Sequence, residues 1–466
     1  MAIIGNPITF GKGGGSGMLP QLVVTGPTTG STVVATNGSE SVTLVESNGT
    51  WTGDLTKYGT WTVTATLGSN TATDTITISE VKQYTMTLAY FTATISVTAP
   101  SGSTVTVTKD GTTVNTHTAT GSAIAVSVHE TGTYTVTATS GSDTASNTAS
   151  ITADGQSVSI SLSFIPEDVN DATWAQISEV SQAGTGDTYW DVGDTKAITL
   201  NGTIGTKSYS NVTLYLFILH FNMPVNKSTA DNNIIWGGFK TAKSGGIDVC
   251  LDDSAYNTDK YDGTKYFNMN HNGTNSGSEG TAGWYGTNYG GWKGTDLRYD
   301  ILGATNTQPS QYNQKKNTSN VGYDATQAAI TSPLSNTLMA ALPSDFRNVL
   351  RLWTRWMDSK GNKSNVDANV TSCVDAGISL LTEFEVFGTR SYANQYEQNH
   401  QVQCAYYVAG NSKVKYRQSS TGTSAMWWES SAYYNSVNSF CIVGTGGNAS
   451  NIGACRACGL APAFKT

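Results

Sequence analysis

The chain has 466 residues, which is enough for two to four domains. Only 13% of them are charged, about half the average of globular proteins, and serine, threonine, asparagine and 49 glycines fill the difference. This composition is typical of exposed β-structure and long ordered loops, and it argues against a helical enzyme. The net charge of −8 argues against a surface for nucleic acid or anionic membranes. No run of 18 apolar residues occurs, so we expect no membrane-spanning helix.

Residues 1–20 form a glycine-rich leader, which we interpret as an attachment arm that docks on a neighbouring subunit; a simple flexible arm is the alternative. The leader has neither a basic region nor an apolar region before a small-residue cleavage site, so we predict no secretory signal. We therefore expect assembly in a cytoplasm and release by lysis. The six cysteines all lie in the C-terminal half, where we expect most of them to be reduced and buried.

An internal repeat extends over residues 21–165. The sequence GTWTVTAT at 59–66 recurs as GTYTVTAT at 132–139, an offset of 73 residues. Within each copy the apolar side chains alternate with threonines, which predicts strands with one buried face. Short β-branched runs separated by Gly-Ser, Asn-Gly and Asp-Gly turns predict hairpins. We therefore predict two immunoglobulin-like sandwiches, at 21–91 and 92–165, that act as spacers.

From residue 166 onward the pattern changes to a mixture of helices, strands and long loops. The apolar run at 212–221 predicts a central strand, and 296–302 predicts a short helix that ends at Gly303. The segment 334–357 shows helical spacing of apolar residues, with a break at Pro343. The predicted fold class is therefore multidomain, with tandem all-β sandwiches followed by an α+β domain.

Three closely spaced carboxylates, Asp248, Asp252 and Asp253, make the only weak candidate for a metal site. Carboxylate oxygens are ligands that Ca²⁺ prefers. Their spacing misses the D-x-D-x-D-G pattern, which favours an exposed acidic turn over a calcium site. The five histidines are scattered without ligand spacing, so we predict no catalytic metal and no other cofactor.

The C-terminal segment 425–464 alternates large aromatic with short polar side chains, a composition typical of recognition surfaces. Its Trp-Trp-Glu-Ser sequence at 427–430, its glycine-rich turn and its final Gly-Leu-Ala-Pro-Ala-Phe at 459–464 resemble the closing strands of a C-type-lectin-like fold. The formylglycine-generating-enzyme-like branch of that fold is the most similar one. It includes the variable receptor-binding proteins of diversity-generating retroelements. The leader MAIIGNPITFG and the sandwich tandem are similar to tail-fibre or baseplate-attached phage proteins.

This resemblance implies a lectin-like receptor-binding domain at 166–466, with exposed ligand-binding positions on its last strands and loops. Those positions are Trp428, Glu429, Ser430, Tyr433, Tyr434, Asn435, Asn438, Asn448, Asn451 and Arg456. The same resemblance assigns a buried framework role to Trp427, Phe440, Val443, Leu460 and Phe464. The sequence departs from the family's pattern at Glu429, which is not followed by the family's arginine. The paired reactive cysteines of the oxidase are not recognisable, so formylglycine formation is not implied.

The expected function is that of a phage virion receptor-binding protein, in a tail fibre or tail tip, without enzymatic activity. Its expected partners are a bacterial surface glycan or protein, other tail proteins at the N-terminus, and further copies of itself, with a trimer as the expected oligomer. A structural baseplate or capsid-decoration protein is the alternative. A third reading is an enzyme that degrades a cell-surface polysaccharide. Such an enzyme needs a pair of catalytic carboxylates, which only the tertiary structure could bring together.

Overall fold

The computed structural model describes residues 18–68, 70–260, 262–271, 287–311 and 320–466. The chain divides into two compact units, an N-terminal unit that ends at Phe164 and a C-terminal unit, Ile165–Thr466. Most of the predicted attachment arm, residues 1–17, lies outside the described residues. Within the described part of the chain, no helix is both long and apolar enough to cross a membrane.

The first half of the N-terminal unit is a small β-sandwich of two four-stranded sheets, with strand orders β4-β5-β1-β8 and β3-β2-β6-β7. Its strands are β1 (Gln21–Thr25), β2 (Thr32–Asn37), β3 (Glu40–Thr43), β4 (Val45–Ser47), β5 (Thr50–Asp54), β6 (Gly59–Leu67), β7 (Asn70–Ile78) and β8 (Gln83–Thr87). Side chains from both sheets form one apolar core around Trp51 and Trp61, which are at most 1% exposed.

The second half repeats this architecture with sheets ordered β11-β10-β13-β14 and β12-β9-β15. Its strands are β9 (Ala93–Thr98), β10 (Thr104–Lys109), β11 (Thr112–Thr118), β12 (Ile124–Val128), β13 (Gly132–Ser140), β14 (Asp143–Ile151) and β15 (Ser157–Ser161). The repeated sequence forms β6 and β13, and its alternating apolar residues are buried in both: Trp61, Val63, Ala65, Tyr134, Val136 and Ala138. The predicted alternation is therefore confirmed.

We expect Trp61→Ala to destabilise the first sandwich by about 3–5 kcal/mol, because the indole is fully buried. Tyr58→Ala is the matched control, since Tyr58 is 55% exposed three residues away, and its effect should stay within about 0.5 kcal/mol. Calorimetry of the full chain measures both. Equal losses of unfolding free energy in the two variants would contradict the assignment of Trp61 to the buried face of β6.

The C-terminal unit is built on a five-stranded sheet of order β16-β17-β18-β28-β22. Its strands are β16 (Thr195–Ile204), β17 (Lys207–Phe221), β18 (Ile234–Lys240), β22 (Ile378–Leu380) and β28 (Pro462–Lys465). The run predicted as a central strand lies in β17, which confirms that prediction. Helix α1 (Trp174–Ala183) covers the sheet and begins at a capping box between Thr173 and Gln176. Trp174 packs edge-on against Trp236 at 5.5 Å between ring centroids.

Shorter elements surround this sheet. The remaining strands are β19 (Val249–Cys250), β20 (Trp353–Asp358), β21 (Val370–Asp375), β23 (Lys415–Arg417), β24 (Ser420–Ala425), β25 (Trp427–Ala432), β26 (Ser439–Val443) and β27 (Ala449–Gly453). The other α-helices are α2 (Gly186–Tyr189), α3 (Ala328–Thr331), α4 (Leu338–Ala341), α5 (Ser344–Arg347), α6 (Glu383–Phe387) and α7 (Ala405–Val408). A π-helix and three 3₁₀ turns complete the set: Leu297–Leu302, Trp292–Gly294, Asp367–Asn369 and Gln395–Asn399.

Two helix predictions have different outcomes. The segment 296–302 is helical and ends at Gly303, whose φ of 69° is a left-handed cap, as predicted. The helix predicted over 334–357 is wrong beyond α5, because residues Trp353–Asp358 form strand β20. Alternate residues of that strand are buried, and Arg355 among them is ion-paired with the Glu385 carboxylate. Because Arg355 is buried with its ion-pair partner, burial in this segment repeats every two residues, as in a strand, although the spacing of the apolar residues resembled that of a helix.

Candidate ligand-binding surface

The three-stranded sheet β25-β26-β27 and its two connecting loops contain nine of the ten predicted ligand-binding residues. Strand β25 pairs with β26 through Trp428↔Ile442 and Ala432↔Phe440, so three residues bulge opposite a single one, Cys441. A bulge redirects side chains locally. Here the bulged residues 429–431 point into the unit rather than to its surface, and all of them are buried.

Three of the predicted ligand contacts are therefore corrected. Trp428, Glu429 and Ser430 are at most 1% exposed and cannot touch a ligand on the surface. The Trp428 indole nitrogen donates to the Phe267 carbonyl at 2.8 Å, and the Ser430 hydroxyl donates to the Leu380 carbonyl at 3.0 Å. The predicted framework is confirmed, since all five of its members are fully buried: Trp427, Phe440, Val443, Leu460 and Phe464.

The other seven predicted contacts do not form one surface. Asn448 lies in the turn between β26 and β27, at the end of the hairpin opposite Asn438. Asn451 lies in the middle of β27, opposite Cys441. Arg456 is ion-paired with Asp259, with Nε 3.0 Å from Oδ1. What remains together is the segment 433–438, which contains Tyr433, Tyr434, Asn435 and Asn438.

This segment joins a second one, residues 390–393, to form a surface that we call the tyrosine surface: Tyr392, Tyr433, Tyr434 and Arg390. The ring centroids of Tyr392 and Tyr433 are 5.4 Å apart, and those of Tyr433 and Tyr434 are 5.6 Å apart, both edge to face. The Arg390 guanidinium carbon lies 4.6 Å from the centre of the Tyr434 ring. These contacts produce a continuous aromatic patch with one cation at its edge.

The polar groups of the tyrosine surface are available to a ligand. Among the described residues, none of its three hydroxyls makes a hydrogen bond, and none belongs to the buried unpaired polar atoms, so each retains accessible surface. The three rings are half-buried and Asn435 beside them is exposed. The surface therefore offers apolar ring faces and free hydrogen-bonding groups side by side.

A buried carboxyl, Glu383 of α6, holds one of the two segments in place. Its oxygens accept hydrogen bonds from the backbone amides of Ser391, Tyr392 and Ala393 at 2.7–3.0 Å. Burial raises the pKa of Glu383, and the three backbone donors oppose that shift. The capping box at the start of α6, formed by Thr382 and Glu385, fixes the helix that positions this carboxyl.

A buried amide, Asn288, holds the other segment. Its Nδ2 donates to the carbonyls of Tyr433, Ser436 and Ser439 at 3.3, 2.9 and 2.9 Å. Its Oδ1 accepts from the Asn362 backbone at 2.9 Å, and its backbone amide donates to Val437. The two segments are then joined directly, because the Tyr434 amide donates to the Tyr392 carbonyl at 2.9 Å. Both halves of the surface are thus fixed from inside the unit.

We expect Asn288→Ala to destabilise the C-terminal unit by about 1–3 kcal/mol, because it leaves buried carbonyls without donors. Amide hydrogen exchange should speed up in 433–439 more than elsewhere. Asn399→Ala is the control, since Asn399 is exposed. Unchanged exchange in 433–439 would show that this amide does not hold the segment.

A cluster of buried carboxyls lies beneath the sheet. Both Glu429 oxygens are buried without a hydrogen-bond partner, and burial raises the pKa of Glu429 well above its ordinary value of 4.5. Burial likewise raises the pKa of Glu397 to about 8. The titratable groups that interact with Glu429 are Glu383, Glu385, Glu397, Tyr407 and Cys441. Burial is the main cause of the raised pKa of Glu429, and the nearby carboxyls of Glu383, Glu397 and Glu385 add to it.

The raised pKa values predict a pH dependence of stability. Above pH 4.5 the unfolded chain loses protons that the folded unit keeps, so the free energy of unfolding falls as the pH rises towards 8. Glu429→Gln mimics the protonated acid and should flatten this slope by up to about 1.4 kcal/mol per pH unit. Melting at pH 5 and pH 8 measures it, with exposed Glu179→Gln as the control. If Glu429→Gln leaves the pH dependence of stability unchanged, the raised pKa assigned to Glu429 is contradicted.

The three aspartates considered for calcium point to different partners. Asp248 is ion-paired with Lys240 at 2.8 Å, and Asp252 with Arg417 at 2.8 Å. Asp253 accepts from the backbone amides of Ala255 and Phe267. Asp252 and Asp253 are also buried, which is not the exposed acidic turn that the sequence favoured. Across the described ranges, no group of three or more His, Cys, Asp or Glu side chains has the geometry of a metal site.

No family model and no curated protein matches this chain. Among solved structures, the Bacillus anthracis TIE protein matches 47% of this chain and 45% of its own, at 10% identity and a TM-score of 0.16. A streptococcal ancillary pilin matches 32% of this chain and 63% of its own, at 11% identity and a TM-score of 0.20. The four N-terminal Ig domains of Dscam1 isoform 6.9 match 28% of this chain and 37% of theirs, at 9% identity and a TM-score of 0.09.

These structures are multi-domain β-proteins of Ig-like or pilin-like architecture, and the likeness is distant. The chain spans less than two-thirds of the length of each. The description of the N-terminal unit as two small sandwiches rests on the strand orders given above, and no family is identified.

Four residues that build the surface were not singled out from the sequence for this role: Tyr392, Arg390, Glu383 and Asn288. Tyr392 and Arg390 lie about 40 residues before Tyr433 and Tyr434 in the sequence, and the Ala393↔Tyr433 bridge helps to bring the two segments together. Glu383 lies one residue before Phe384 in an apolar run, and an acidic residue there is a signal for a buried polar role.

Proposed function

We propose that this chain is a receptor-binding protein of a phage virion, and that its C-terminal unit binds a bacterial surface receptor through the tyrosine surface. The observation that carries the proposal is a patch of three tyrosines with free hydroxyls on a hydrogen-bonded frame. Tyrosine supplies a large contact area for little loss of side-chain entropy, and its hydroxyl adds a directional contact. A surface fixed before binding loses less entropy when the ligand arrives.

The virion assignment draws on the resemblance of the leader, the sandwich tandem and the C-terminal sequence to phage tail proteins. A C-type-lectin-like fold for the C-terminal unit is part of the same proposal. Two features support it: β28 pairs between β18 and β22 in the main sheet, and a separate small sheet carries the recognition loops. In this proposal the two sandwiches are spacers and the leader attaches to other tail proteins.

Several copies of the unit on one virion, arranged in our proposal as a trimer, would bind a cell surface together. Linked sites raise the effective concentration of each head, so weak single contacts suffice. No catalytic step belongs to this proposal. The carboxyls Glu383, Glu397 and Glu429 are at most 1% exposed, and a polysaccharide chain cannot reach them in this conformation.

A structural baseplate or capsid-decoration role is the second candidate. Tyrosine and arginine are enriched at protein–protein interfaces, so the same surface could bind another virion subunit. The two candidates differ in what covers the tyrosine surface, a host receptor or a neighbouring protein of the particle.

The test is binding of the labelled full chain to a panel of bacterial strains. We expect the combined variant Tyr392→Ala, Tyr433→Ala and Tyr434→Ala to lose at least about tenfold in affinity for a bound strain, because central tyrosines carry much of the energy of such interfaces. The matched control is Tyr189→Ala with Tyr323→Ala, two tyrosines that are 42% and 43% exposed elsewhere in the same unit.

Calorimetry checks that the variants stay folded. Equal binding by the tyrosine variant and its control would reject the tyrosine surface as the receptor site. If the chain binds no strain but assembles with virion proteins in a way that the tyrosine variant abolishes, the structural role is correct instead.

A further inference from the structure

We propose that the ligand of the tyrosine surface is an acidic glycan, and that Arg390 binds its anionic group. This inference rests on the proposed function and specifies the chemistry of its receptor. It follows from the position of Arg390, from its lack of an ion-pair partner, and from the charge of the rest of the chain.

Arg390 lies over the Tyr434 ring of the tyrosine surface. Its guanidinium carbon lies 4.6 Å from the Tyr434 ring centre, and its Nη2 makes only a long hydrogen bond, 3.4 Å, to the Gln395 side chain. A guanidinium carries five N–H donors in one plane, and stacking on an aromatic ring leaves its edge free to donate. Arg390 is half-buried, and its two contacts restrict the side chain before a ligand arrives.

No carboxylate of the described chain lies within ion-pair distance of Arg390. The Glu383 carboxyl interacts with it electrostatically, but the oxygens of Glu383 already accept three backbone amides. Other arginines of the same unit do have carboxylate partners at close range: Arg298 with Asp375, Arg355 with Glu385, Arg417 with Asp252, and Arg456 with Asp259. Arg355 and Arg417 also lie over an aromatic ring, so Arg390 differs from these four in combining a ring contact with the lack of a carboxylate partner among the described residues.

This arrangement matches the chemistry of an acidic sugar. The partly exposed rings of Tyr433 and Tyr434 suit the apolar C–H groups of a sugar ring, and the free hydroxyls suit its hydroxyl groups. The Arg390 edge suits a carboxylate or a phosphate, which accept two parallel N–H donors. Since the whole chain carries a net charge of −8, non-specific attraction of polyanions is disfavoured, and selection depends on this local cation.

The test uses matched pairs of polymers with the full chain: a polyuronic acid against its carboxyl-reduced neutral form, and a glycan with phosphodiester groups against its dephosphorylated form. We expect one acidic polymer to bind at least about tenfold more tightly than its neutral counterpart. The pair that shows the difference distinguishes a carboxylate from a phosphate. Arg390→Gln should remove the difference while weak binding of the neutral form persists.

Arg347→Gln is the control, because it removes one half-buried arginine of the same unit that bonds to the Leu342 carbonyl. Equal affinity for the acidic and neutral forms, no binding to any acidic polymer, or the same loss in Arg347→Gln as in Arg390→Gln would overturn the inference. The proposed function is judged separately, by the dependence of cell binding on the three tyrosines. If that dependence holds while Arg390→Gln changes nothing, the surface binds its receptor without an anionic contact.

Discussion

The buried Glu383 carboxyl is the contact on which the tyrosine surface depends. Three consecutive backbone amides, from Ser391 to Ala393, converge on its two oxygens. A carboxyl that is taken out of water must recover hydrogen bonds, and here it recovers them from a chain segment that has no regular structure of its own. Asn288 does the same for 433–439 from the opposite side. Polar burial therefore replaces helix and strand pairing as the means of ordering these loops.

The residues that order the loops are therefore different from the residues that form the tyrosine surface. Those that order the loops, Glu383 and Asn288, have side chains that point inward and are buried. The bulge in β25 extends the same principle, because it turns Glu429 into a buried cluster with Glu397 and leaves both acids with raised pKa values. Such a cluster costs stability at high pH. This destabilising cluster lies close to the loops that form the proposed binding surface.

The sequence predicted the features that depend on local periodicity. Alternation identified the paired strands of the repeat, and the helix ending at Gly303 followed from its cap. Prediction failed where a distant polar partner decides the structure. Arg355 lies in the segment 334–357 that was predicted to be helical, and it is instead a buried strand residue paired with Glu385. The polar Glu429 looked exposed because nothing in its neighbours signals a bulge.

Oxidative footprinting of the full chain, free and bound to a recognised bacterial strain, tests the central claim most directly. The account predicts that Tyr392, Tyr433 and Tyr434 are oxidised in the free protein and protected together when cells are bound, while the exposed Tyr189 stays reactive in both states. Protection of the three tyrosines in the free, assembled protein, or their continued oxidation on cells, would contradict it.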